Sequence, residues 1–125
     1  MAELTRFNVN NDPIGVGYDL GGGSVTQATS KATAVALDAV CGQITMHAAN
    51  LATVTVVAFT LTNSLIEAHD IVVAQHKSGG TAGAYDVTVR TIAAGSCVIE
   101  LYNRTGGTLG EAVVVGFMVL KGSIA

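Results

Sequence analysis

The chain has 125 residues, half of them apolar and only 12% charged, with a formal net charge of −3. Disorder needs low hydrophobicity and high charge, so it is excluded, and six Lys and Arg residues do not make the basic stripe of a nucleic-acid binder. The longest apolar run, residues 112–120, is far short of the roughly 20 positions a membrane-spanning helix requires.

Residues 1–23 stand apart from the rest. Asn8, Asn10, Asn11 and Asp12 precede Pro13, the only proline, and the segment ends in Gly21, Gly22 and Gly23. Neither a helical nor a strand period persists, so it reads as an extended N-terminal arm with a glycine hinge. Such an arm on a small domain commonly lies along a neighbouring subunit. The first residues lack a charged-then-apolar pattern, so no secretory signal is expected.

Residues 24–125 read as one β domain. Val25, Gln27 and Thr29 alternate with Thr26 and Ala28, Val35 and Leu37 flank Ala36, and Ile44 and Met46 flank Thr45. Short β-branched runs between turn residues are the strand signature. In residues 53–63 the apolar phase changes at Val56 and Val57, which predicts a bulge or bend, because a one-residue shift swaps faces. Residues 64–69 are the one helix-like stretch, about a single turn bridging two strands. Residues 71–76 form a strand whose adjacent Val72 and Val73 suggest burial on both faces. A glycine-rich loop follows at 77–84. Tyr85, Val87 and Val89 then alternate with Asp86, Thr88 and Arg90. A turn at 93–96 returns the chain through Cys97, Ile99 and Leu101. Centring this hairpin on Gly95 sets Val89 against Leu101 and Arg90 against Glu100, matching apolar to apolar and opposite charges to each other. In the last strand, residues 112–121, Val113, Val115, Phe117 and Val119 share one face, with Val114, Met118 and Leu120 on the other. With both faces apolar, this strand is central or lies under a subunit contact. Val113, Val115, Phe117 and Val119 are therefore the candidate interface residues.

About eight short strands with turn signals every 8–12 residues fit an antiparallel β-sandwich or jelly roll. Faces this poor in charge call for cover by a second sheet and by other subunits.

Chemistry-bearing patterns are absent from the sequence. His47, His69 and His76 share no ligand spacing. The nine acidic residues are dispersed. His69 and Asp70 are neighbours, which point to opposite faces of a strand. There is no Ser elbow or calcium loop. Gly15, Gly17 and Gly21 lack the strand and helix a dinucleotide fingerprint needs. Cys41 and Cys97 read as small buried hydrophobes or as a bridge across two strands. No catalytic, cofactor or metal residue is expected, and the enzyme reading has nothing to stand on.

Several blocks do have a familiar look: residues 22–35 (GGSVTQATSKATAV), 41–47 (CGQITMH), 59–64 (FTLTNS), 78–85 (SGGTAGAY), 93–97 (AAGSC) and 111–122 (EAVVVGFMVLKG). In this order they resemble small virion structural proteins of tailed bacteriophages, over most of residues 21–122. The resemblance implies a non-enzymatic capsid decoration (cement) protein. It would form a homotrimer on the outer surface of the head and reinforce contacts between major capsid subunits. A tail fibre or appendage module is the alternative. Under the first reading the arm residues Leu4, Phe7, Val9, Pro13, Ile14 and Tyr18 would contact the capsid. Neither nucleic acid nor membrane is expected as a partner.

Overall fold

A computed structural model describes residues 7–8, 16–18 and 20–125. Among them there are ten strands and no helix, hence no helix long and apolar enough to cross a membrane. In chain order they are β1 (Phe7–Asn8), β2 (Gly17–Tyr18), β3 (Gly22–Thr26), β4 (Val35–Ala36), β5 (Cys41–Thr45), β6 (Thr55–Thr62), β7 (Ile71–Ser78), β8 (Tyr85–Ala93), β9 (Ser96–Asn103) and β10 (Val114–Leu120).

β1 and β2 pair antiparallel with each other. The others form two four-stranded sheets, a first of order β3-β5-β10-β7 and a second of order β4-β6-β9-β8. From β3 to β8 the chain changes sheet at every step, and within the two four-stranded sheets only β8 and β9 are joined as a hairpin. This alternation lays β5 parallel to β3 and β6 parallel to β4. Parallel neighbours cannot be joined by a tight turn, so each pair needs a crossover through the opposite sheet. The sheets are therefore mixed, and the expectation of a purely antiparallel fold is corrected. The glycines make one parallel contact possible: a Cβ on Gly42 of β5 would collide with the Gly23 carbonyl of β3. Gly22 and Gly23, which the sequence suggests as a hinge, here pair with Cys41 and Gly42.

The inner faces of both sheets supply one core. Ile44, Val72, Val115, Phe117 and Val119 come from the first sheet, and Phe59, Leu61, Cys97, Ile99 and Leu101 from the second. β9 shows the period most plainly, with Cys97, Ile99, Leu101 and Asn103 buried and the residues between them half-buried. Burying each large apolar side chain stabilises the fold by about 1.5–3 kcal/mol.

Four local expectations change. The β6–β9 ladder runs unbroken from Thr55 opposite Asn103 to Thr62 opposite Ser96, so β6 carries no bulge. Val54 and Val56 simply point outward, 63% and 50% exposed. β7 is an edge strand with Val72 inside and Val73 outside, so it is not buried on both faces. In the β8–β9 hairpin, Val89 faces Ile99 and Arg90 faces Val98, with an irregularity between Arg90 and Ala93 that shifts the register. The Arg90–Glu100 ion pair still forms, diagonally, at 2.6 Å. Residues 64–69 make tight turns instead of a helical turn: Ile66 N donates to Asn63 O and Asp70 N to Glu67 O.

Candidate functional site

β10 runs between β5 and β7, so its inner face is closed by the second sheet. Val115, Phe117 and Val119 lie there in the core, with Val113 buried just before the strand begins. That takes them off the surface, and a subunit contact through β10 has to use its other face. Of the arm candidates, Leu4, Val9, Pro13 and Ile14 lie outside the described residues, and Phe7 is placed only by its backbone pairing with Tyr18. Tyr18 is half-buried, and its hydroxyl donates to Val119 O at 2.6 Å. Burial raises its pKa above the ordinary tyrosine value.

The outer face of the first sheet follows from strand parity. Met118 on β10 lies between Cys41 on β5 and Val73 on β7, and Leu120 lies opposite Ile71. Ile71 and Val73 are 60% and 51% exposed, and Cys41, Met118 and Leu120 are half-buried beside them. Towards the other end Gly116 lies between Gln43 and Gln75. The Lys77 stem passes over Gly116, within 3.4 Å of where its Cβ would be, and Lys77 Nζ donates to Gln43 Oε1 at 2.8 Å. Glycine's missing side chains leave an open trough of about 740 Å³ across this face. One end is apolar, and the other is polar with a single cation.

The buried polar groups are structural. Gln27 is in phase with Val25, and its side chain bonds Lys31 O, Thr33 O and His47 N. Lys31 is only 3% exposed, and its ammonium donates to His47 O and Glu111 O. Burial lowers its pKa, partly opposed by the Glu111 carboxylate. Asn63 ties both backbone groups of Ala39. Asn103 donates to the carbonyls of Leu51, Ala52 and Gly107. Asp70 accepts from Lys121, Glu67 N and Gly122 N. Burial alone would raise its pKa, but these donors hold it below the usual carboxylate value. Sequence reasoning missed these nodes, although Gln27 in an apolar phase was a usable signal.

Among the described residues no three of His, Cys, Asp and Glu are grouped to hold a metal ion. Cys41 and Cys97 are both free thiols in different sheets, which closes the bridged alternative. Burial pushes the Cys97 thiol up to about 11, so it is a poor nucleophile. At the apolar end of the first sheet's outer face, Ile71 and Val73 are exposed beside half-buried Met118 and Leu120. No family model, curated protein or solved structure matches the chain.

Proposed function

We propose that this protein is a non-enzymatic structural subunit of a tailed-bacteriophage particle, a decoration protein that trimerises on the outer surface of the head and reinforces contacts between major capsid subunits. The supporting observation is the outer face of the first sheet, where Ile71 and Val73 stand exposed beside Met118 and Leu120 on a chain with little surface charge. Exposed apolar area of this kind marks an interaction surface. In this reading the two sheets are the halves of a β-sandwich of jelly-roll type, supported by the single core that both inner faces feed. The trimer contact runs through Ile71, Val73 and Met118, and the N-terminal residues reach the capsid. Three contacts made together raise the effective concentration of each. A subunit that binds the assembled shell and not its dispersed parts stabilises the shell by mass action.

Sedimentation of the purified protein and of a Val73→Asp variant tests the contact. The wild type should run as a trimer at micromolar concentration, and the variant as a folded monomer whose melting no longer depends on protein concentration. A monomeric wild type would overturn the preformed trimer, and a trimeric variant would move the contact to another face.

A further inference from the structure

The connection between β7 and β8 carries an inference independent of the proposed function. Residues 79–84 pass from the first sheet to the second with Gly79, Gly80 and Gly83 at φ of 72°, 70° and 78°. These are conformations that glycine alone adopts freely, and they sit towards both ends of the segment. Between them Thr81 is fastened to one carboxylate. Glu111 Oε1 accepts from Thr81 N at 2.9 Å, and Glu111 Oε2 accepts from Thr81 Oγ1 at 2.7 Å. Tyr85 OH also donates to Oε1, at 2.7 Å. Glu111 is itself fixed from behind, because its carbonyl holds the buried Lys31 ammonium at 2.5 Å.

The segment lies directly on the end of the core. A Cβ on Gly80 would stand 3.2 Å from the Tyr85 ring and 3.3 Å from a Val113 methyl. Val113 and Tyr85 are buried beneath it. Other fastenings are few: His76 Nε2 lies 2.6 Å from Gly79 O, Arg104 N donates to Ala84 O, and Ala84 N closes a turn on Thr81 O. A short segment with glycine pivots, held mainly by one carboxylate, is the kind of element that opens locally below the global unfolding free energy.

We propose that residues 79–84 are a latched strap: releasing Thr81 from Glu111 lets the strap lift on its glycines and uncover Val113 and Tyr85, while both sheets stay folded. Hydrogen bonds to a charged carboxylate are the strong kind, so the latch sets the closed population.

Hydrogen exchange of the full chain, resolved by residue, tests this with Glu111→Ala and Thr81→Ala. The discriminating amide is Ala84, which bonds Thr81 O and does not touch Glu111. Both variants should speed its exchange by about tenfold or more, the scale of a lost charged hydrogen bond. The β9 amides at 97–101 should keep wild-type rates. Ala84 exchange within about twofold of wild type would overturn the latch. Equal acceleration in β9 would overturn local opening, because the strap would then be part of the global unit. If Glu111→Ala does not fold, Thr81→Ala, a change at an exposed side chain, decides the matter alone.

Discussion

At the scale of single residues, the backbone and the buried polar groups set the stability. Thr91 and Val54 are β-branched residues at φ of 56° and 50°. The left-handed region costs an ordinary residue about 1–2 kcal/mol. Thr91→Gly should therefore raise the urea midpoint, by a net gain of about 1 kcal/mol or less after glycine's extra chain entropy. A lowered midpoint would mean that the Thr91 side chain has stabilising contacts. Lys31→Met should be costly in the other direction. It leaves the His47 and Glu111 carbonyls without their shared buried donor, a loss of about 2–4 kcal/mol. Asp70 governs part of the acid limb. Its folded pKa lies below the unfolded one, so its contribution is full above the unfolded value and is lost as pH falls through the folded value. Asp70→Asn should lower the melting temperature at neutral pH and make the acid limb shallower, and an unchanged limb would remove Asp70 from that role. The polar nodes were largely illegible in sequence. Nothing local says that Lys31 points inward, because its acceptors lie 16 and 80 positions away.

Strands are the elements the sequence reports best, since period two and β-branching are local. β9 alternates as its sequence implies, and β10 is central, one of the two readings its doubly apolar faces allowed. Pairing partners are not local, and here they misled. The alternation of the chain between sheets makes two edge pairs parallel, which no turn signal announces. The β8–β9 register differs by two positions from the one centred on Gly95, one step from a turn closed by Ala93 and Ser96 and one from the irregularity between Arg90 and Ala93; odd residues of 85–90 still face odd ones, so apolar matching could not detect it. Two apolar neighbours on β7 looked doubly buried, but an edge strand leaves Val73 exposed. A pair of variants separates the two faces of the first sheet. Val115→Asp places an unpaired charge in the core and should abolish folding or cost more than about 4 kcal/mol. Val73→Asp should still fold and, compared at a dilution where both proteins are monomeric, lie within about 0.5 kcal/mol of wild type, as for ordinary surface changes. Similar destabilisation by both would mean that the outer face is covered within the chain itself.

On the scale of the whole molecule, sparse charge now has a location. The second sheet covers the inner face of the first, and one group of exposed apolar residues stands at one end of the outer face, around Ile71, Val73, Met118 and Leu120, while Val54 and Val56 are exposed at the second sheet. That surface is not visible as a patch in the sequence, because its members come from β7 and β10, more than 40 positions apart. The candidate site was thus legible as a need for cover but not as a place. Tyr18 links the N-terminal residues to β10 through Val119 O. Deleting residues 1–20 should leave the two-sheet domain folded and weaken capsid binding, and wild-type saturation of capsids by the truncated protein would contradict a docking role for the arm. Electron microscopy of phage particles carrying the labelled protein tests the placement on the head most directly. Label should appear over the outer surface of the head, at local threefold positions. Label confined to the tail, or particles without label, would contradict it.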